Sequence, residues 1–337
     1  MNDVARVAGV GTVTVSRVLN GASHVSEETA ARVYRAINKL GYRPNEMARA
    51  LRGLKSRTIG VIVPYLYDPF FATCAHSVNV VAREHKYSVI LATSNESAET
   101  EHEEAQLMLQ RHVEGLVVIP VNASHSRLSR SDFEKTHIVM LDRSVQDPRF
   151  DSVVVQNQSG TKRAIEHLIE VHGHKRIAFL GLERHVYTIN ARFNGYRRAM
   201  QAAGLTPEPF FDCTAPEAAR AIVASLLREK NPPTAFFGSN NLTTRFLLQA
   251  LLELGVRVPE EVALVGFDDF ELAEVLQPTL TVVRQPSQEL GRVAASMLFD
   301  RLKRDELPQV GNRVMLPVEL IVRRSCGCRP RTHRASA

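Results

Sequence analysis

From Ile59 onward, short apolar runs alternate with helical stretches, and this rhythm restricts the fold of the 337-residue chain more than any other feature. The runs are IGVIVP, YSVILAT, GLVVIP, HIVMLD, SVVVQ, RIAFLGL, AFFGS and VALVGFD. Each is nearly continuous in apolar residues and does not alternate apolar with polar. Such strands are buried on both faces, the condition of a parallel sheet covered by helices. Their number suggests two sheets. Ligands of open parallel sheets bind beyond the carboxyl ends of the strands, so polar residues at those ends are the candidates for function.

The first 58 residues have a different character. They hold ten Lys and Arg against four Asp and Glu, while the remainder is balanced at 32 of each sign. The whole excess of +6 therefore lies in this segment, the electrostatic footprint of a nucleic-acid-binding module. Asp3 to Ala8 forms a short amphipathic stretch stopped by Gly9. In GTVTVSRVLNG, Val15, Val18 and Leu19 recur at i, i+3 and i+4, the spacing of a helix and not of a strand. Ser26 is placed to cap a third helix through Leu40, with Glu27 and Glu28 in its first turn and Gly41 at its end. Ala30, Val33, Ile37 and Leu40 are its expected inner stripe. Helix, tight turn, helix, loop, helix within about 40 residues is a helix-turn-helix pattern, whose second helix enters the major groove. There, Thr and Val methyls can touch thymine methyls, and Arg17 can donate two hydrogen bonds to guanine.

These residues carry a resemblance. DVARVAGVGTVTVSRVLNGASHVSEETAARVYRAINKLGYRPNEMARAL is similar to the DNA-binding head of the lac repressor (LacI/GalR) family of transcription regulators, above all in TVSRVLN and LGYRPN. The resemblance implies that Thr12, Val13 and Arg17 read bases, while Ser16, Asn20, His24 and Tyr42 lie near the phosphate backbone. Two departures stand out. Gly11 replaces the family's usual Ser ahead of the recognition helix. The chain also begins MNDVAR, a few residues short of the usual start, so the first helix is expected to lack part of its first turn.

RPNEMARALRG follows, with Asn45 placed to cap and Gly53 placed to stop a helix of about two turns. Helices that short are marginal alone in water. The resemblance implies that two such hinge helices pair over the minor groove. Leu51 would be the wedge between base pairs, with Arg52 beside it, so residues 45–53 are expected to order on DNA.

The remainder resembles the two-lobed, parallel-sheet fold that the family's core shares with periplasmic binding proteins. This implies a small all-α helix-turn-helix head on an α/β body. The expected divisions are 1–44 for the head, 45–58 for hinge and linker, 59–157 with 285–316 for an N-lobe, 158–284 with 317–328 for a C-lobe, and a basic, disordered tail at 329–337. The lobes would be joined by three crossovers with an effector cleft between them. Asp268 ends VGFD and can accept hydrogen bonds from sugar hydroxyls; the family uses an Asp there. Arg192 in NARFNGYRRAM matches a pocket Arg, and Asn240 ends FFGSN at another pocket position. The family generally continues with Asp where this chain has Asn241. Phe71 in DPFF is a candidate stacking platform, and Asp142 and Arg143 after HIVML are further candidates. Arg143 and Arg192 together favour a ligand with a carboxylate or phosphate.

Other signals carry less. His172 and His174 in VHGHKR stand two apart before a strand with no further ligands beside them, a poor metal site. Cys74 and Cys213 are isolated. Cys326 and Cys328 form CGC without a second Cys/His pair, which reads as free thiols, so no metal and no cofactor is expected. No G-x-G-x-x-G follows a strand, no Walker loop is present, and no Ser/His/Asp motif appears. There is no apolar run long enough for a membrane span and no secretory leader, which gives a cytoplasmic expectation. The tail has no leucine heptads, so a coiled-coil tetramer is not expected. The sequence therefore predicts a homodimeric repressor, not an enzyme. It would bind a near-palindromic double-stranded operator and respond to a sugar, sugar acid or related metabolite, with no membrane partner. A transporter's solute-binding protein has the same body, but a basic head and no leader oppose it. A sugar-processing α/β enzyme is opposed by the missing phosphate loop.

Overall fold

A computed structural model describes residues 1–19, 25–42, 56–121, 126–129, 133, 136–304, 307 and 309–328. The chain forms two compact units, Met1–Ser56 and Arg57–Ala337.

The first unit contains α1 (Asn2–Ala8), α2 (Thr12–Leu19) and α3 (Glu27–Leu40). Gly9 and Gly41 end α1 and α3 in the left-handed conformation, and the Ser26 side chain accepts a hydrogen bond from the Thr29 amide at the start of α3. Met1 precedes α1 without a side-chain cap. Val4, Ala5, Ala8, Val15, Val18, Val33 and Ala36 form the core, with Leu19, Ala30, Ile37 and Tyr42 packed against it. Thr and Val are poor helix formers. α2 is helical because Val15 and Val18 fall on one buried face, and that packing outweighs local propensity. Leu40 departs from the expected stripe and is exposed, because α3 has run past its neighbours by its last residue.

The second unit is built on two six-stranded sheets. The first runs β11 (Arg313–Leu316), β5 (Asp151–Val155), β4 (His137–Leu141), β3 (Gly115–Val118), β1 (Thr58–Val63), β2 (Ser88–Thr93), all parallel. The second runs β12 (Glu319–Ile321), β10 (Thr281–Arg284), β9 (Ala263–Phe267), β8 (Ala235–Gly238), β6 (Ile177–Leu180), β7 (Glu208–Phe210). Within it only β12 is antiparallel, at an edge. The chain passes between the sheets after β5, after β10 and again between β11 and β12. The central strands are buried throughout, as their continuous apolar composition requires, whereas edge strand β2 leaves Leu91 exposed.

Helices cover the sheets: α4 (Pro69–Glu84) and α10 (Ser287–Arg304) pack together on the first, with α5 (Ala98–Gln110) elsewhere on it. α6 (Asn157–Glu170) packs on α7 (Tyr187–Ala202), and α8 (Pro216–Leu227) on α9 (Asn241–Glu253), in the second lobe. No helix among the described residues is long and apolar enough to cross a membrane.

Candidate functional site

In the head, Thr12, Val13 and Arg17 are exposed on α2, Val13 at 63%, while Ser16 is half-buried. A methyl-bearing side chain held that far into solvent at the first turn of a helix contributes nothing to the core and is available to a partner. Tyr42 packs partly against the head's core, and its amide donates to the Ile37 carbonyl at 3.0 Å. Gly11 lies ahead of the helix; its carbonyl accepts from the amides of Thr14 and Val15 at 2.9 and 3.2 Å. Asn20, His24, Leu51, Arg52, the hinge at 45–53 and the tail at 329–337 lie outside the described residues.

In the second unit, the carboxyl ends of strands from both sheets bring polar groups together. Asp142 follows β4 and Asp268 follows β9, each in the left-handed region with φ of 62° and 73°. Asp tolerates that conformation better than most residues, and the reversal turns the chain off the end of its strand. Gly238 and Gly266 let the start of α9 press onto the sheet: a Cβ at either would lie 2.5 or 2.4 Å from the Thr244 hydroxyl. Thr244 in turn donates to the Asn240 carbonyl at 2.7 Å.

The resulting network is dense. Arg192, buried, donates to Asn157 Oδ1 at 2.8 Å and to the Ser239 carbonyl at 2.9 Å. It lies 3.5 Å from Asp268 and over the Phe267 ring. Burial holds its pKa below the usual arginine range, although Asp268 and Asp142 pull the other way. Asp268 accepts from the Asn241 amide at 3.2 Å and from Gln285 at 2.5 Å. Asn241 also donates through its side chain to Asp68 at 2.9 Å, joining the end of the second sheet to the loop after β1 of the first. Asp68 is itself the N-cap of α4, accepting from the Phe70 amide. Burial, and then Asp268, raise its pKa.

Arg143 is buried and bidentate to Glu96, both contacts at 2.8 Å, and donates to the Pro120 and Val121 carbonyls. Burial opposes its charge, but Glu96, Asp142 and Glu101 together outweigh that and raise its pKa. Its Nε lies 3.8 Å from Asp142. Burial pushes the Asp142 carboxyl up to about 6, against the pull of Arg143 and Arg192. Asp142 Oδ1, Arg143 Nε, Ser94 Oγ and Gln285 Oε1 are buried without a hydrogen-bond partner among the described residues. Unpaired buried polar atoms are uncommon and call for an explanation. Here they stand at the ends of β2, β4 and β10.

Two candidates do other work. The Asn240 side chain accepts from the Thr243 amide and hydroxyl, a capping box that commits its oxygen to α9. Phe71 is buried in the core, 5.4 Å from Phe70, with the Arg143 guanidinium 5.9 Å above it. It supports an arginine and offers little open face. Tyr65, half-buried and stacked on Tyr67 at 4.9 Å, is the more accessible aromatic. The anionic-ligand expectation required Arg143 and Arg192 to have unmet charge. Both are already engaged by Glu96, Asp142 and Asp268, and with Asp68 carboxyl groups outnumber guanidiniums. Asp68, Glu96, Asn157, Asn241 and Gln285 were not candidates from sequence. Asp68 had a local signal, its place before Pro69 at the start of a helix, and Asn241 stood out as the place where the family generally has Asp.

Comparison with known proteins agrees with both units. Residues 1–45 match the family described as bacterial regulatory proteins, lacI family, and residues 165–326 match the periplasmic binding protein-like domain. The chain is 32% identical to the HTH-type transcriptional repressor PurR of Haemophilus influenzae (strain PittEE) over 332 residues, covering 96% of this chain and 98% of that protein. The chain belongs to the LacI family. As a LacI-family member it is a DNA-binding transcription regulator and not an enzyme. Among solved structures it resembles a transcriptional regulator CelR–cellobiose complex, with a TM-score of 0.71 and 31% identity over 96% of this chain and 98% of that one. It also resembles the Lac repressor bound to ONPG in the repressed state, with a TM-score of 0.85 and 27% identity over the same shares. Its body is the two-lobed parallel-sheet fold of that family.

Proposed function

We propose that the chain is a ligand-controlled repressor that grips a near-palindromic operator as a homodimer and takes a neutral, polyhydroxylated sugar-like effector between its lobes. The observation that carries the ligand class is the buried acceptor Asp142 Oδ1 and the buried donor Arg143 Nε, on adjacent residues, neither with a hydrogen-bond partner among the described residues. A hydroxyl group donates to one and accepts from the other. The excess of carboxyl groups repels an anion, and charge-assisted bonds to neutral hydroxyls suit what remains. The likeness to a cellobiose complex supports this class. Asp268, Arg192 and Gln285 are the contacts proposed on the second lobe, with Tyr65 as the aromatic platform.

On the DNA side, Thr12, Val13 and Arg17 are the proposed base readers. Ser16, Asn20, His24 and Tyr42 would contact phosphates, and Leu51 with Arg52 would enter the minor groove from the hinge. The effector changes operator affinity only by as much as it prefers one lobe arrangement over the other. A thermal-shift screen of neutral sugars against sugar acids and phosphates tests the pocket, and operator binding with and without each hit tests the coupling. Neutral sugars should stabilise the chain and alter operator affinity. Stabilisation by anions alone would refute the proposed ligand class.

A further inference from the structure

The carboxyl end of α6, opposite the end that supplies Asn157, holds a second group of chemically active side chains. His167 lies in the last turn of the helix and His172 just beyond it. Cys326 and Cys328 lie in the turn that follows β12. The two Nε2 and two Sγ atoms face one another: His167 to Cys326 at 3.5 Å, His172 to Cys328 at 3.3 Å and His167 to Cys328 at 3.7 Å. All four ligand atoms lie within 4.8 Å of each other. In the sequence His172 stands beside His174, and CGC has no Cys/His pair near it. In the structure His174 meets the Thr234 hydroxyl at 2.9 Å, and His167 takes the place beside His172.

We propose that His167, His172, Cys326 and Cys328 form a structural zinc site that fastens the C-terminal turn to the end of α6. Zinc bound at about 2.0–2.1 Å to nitrogen and about 2.3 Å to sulfur in a tetrahedron separates nitrogen from sulfur by roughly 3.6 Å. The contacts here bracket that value. Two imidazoles and two thiols are a donor set that selects zinc over magnesium or calcium, and four protein ligands leave no open position for catalysis.

The turn is held in place by contacts of its own, so the ligands are preorganised. The Ser325 hydroxyl donates to the Leu264 carbonyl at 2.5 Å and accepts from the Thr281 amide at 2.8 Å. Arg323 is bidentate to Asp269 at 3.0 and 2.8 Å. Gly327 sits between the cysteines at φ +98°, and a Cβ there would come 3.3 Å from the His172 ring. A residue with a side chain would be strained by the backbone and would crowd a ligand. Cys326 is buried and the other three are half-buried; Cys328 also lines a surface cavity of about 410 Å³ with Pro259, Gln277 and Arg324, a path for the ion. The two ligand pairs are more than 150 residues apart in sequence, so the ion would close a long loop around the second sheet.

The test uses the full-length chain, purified under reducing conditions from zinc-supplied cells. Elemental analysis should find close to one zinc per chain. Cobalt substitution should give tetrahedral ligand-field bands together with thiolate-to-cobalt charge transfer. Cys326→Ser/Cys328→Ser should lose both signals, and His174→Asn should keep them. Removing zinc should lower the thermal midpoint and expose Cys326 and Cys328 to alkylation. If the double variant does not fold, cobalt titration of the unaltered chain still decides the matter. Absence of both zinc and thiolate–cobalt bands in the reduced chain would overturn the proposal. So would zinc retained undiminished by the double variant, or a Cys326–Cys328 disulfide in protein from zinc-supplied cells.

Discussion

Asn241→Asp offers a test of the pocket that needs no knowledge of the effector. Asn241 donates to Asp68 at 2.9 Å from one sheet's end to the other's, and the site already contains Asp142 and Asp268. The substitution removes the donor and places a carboxylate against Asp68. Two unit charges 3 Å apart repel by roughly 5 kcal/mol at an effective dielectric constant of 20. Taking up a proton at pH 7.5 instead costs an ordinary carboxyl about 5 kcal/mol. Side-chain rotation relieves part of either penalty, so the expected loss of stability is about 2–4 kcal/mol at pH 7.5. The sign with pH follows from linkage. The pair's pKa is raised in the folded state, so the folded variant binds more protons than the unfolded one and loses stability as pH rises. Near pH 5 the protonated carboxyl donates to Asp68 much as the amide did, and the deficit should shrink to about 1 kcal/mol or less. Urea denaturation of variant and wild type at both pH values measures this. Asp68→Asn/Asn241→Asp exchanges donor and acceptor, and it should recover most of the loss because Asn also caps a helix well. Equal stability of Asn241→Asp and wild type at pH 7.5, or a deficit unchanged at pH 5, would refute the reasoning.

Three further outcomes are expected. Arg17→Ala should weaken operator binding by about 1–3 kcal/mol while leaving scrambled duplex nearly unaffected, measured by fluorescence anisotropy at fixed salt; equal losses on both duplexes would make Arg17 a phosphate contact. Gly11→Ser should stabilise the head by a few tenths of a kcal/mol, because a Cβ there meets nothing within 4 Å and Ser is the better cap. A thermal midpoint of the head that fails to rise would count against that assignment. Affinity for a neutral sugar effector should fall about tenfold between pH 7 and pH 5, as the Asp142 carboxyl, at about 6, takes up a proton and ceases to accept from a hydroxyl. Asp142→Asn should flatten the profile, and a flat wild-type profile would remove Asp142 from the contacts.

The head and the strand pattern were legible because their signals are local. Val15 and Val18 mark the inner face of α2, and Ser26 and Gly41 bound α3 through contacts within four residues of themselves. Strands β7, β11 and β12 escaped notice because they are partly exposed edge strands, and β10 because only two valines lie between Thr281 and Arg284. At the pocket, Asp142, Asp268 and Arg192 stood out by strand-end position and motif, but their partners did not. Nothing near Glu96 in the sequence points to Arg143, and nothing near Asn241 points to Asp68.

What the sequence alone determined, then, is the three helices of the head, the eight strands with long apolar runs, the basic head on a neutral body, and the residues at strand ends. These follow from side-chain periodicity, caps and charge, which act over a few positions. The tertiary structure decided which charges are already neutralised, which lobe-to-lobe bond replaces an expected carboxylate, and which histidines face the CGC turn. Those contacts join residues 47, 173 and about 160 positions apart, respectively. They exist only because two sheets and the helices on them bring distant strand and helix ends within hydrogen-bonding reach.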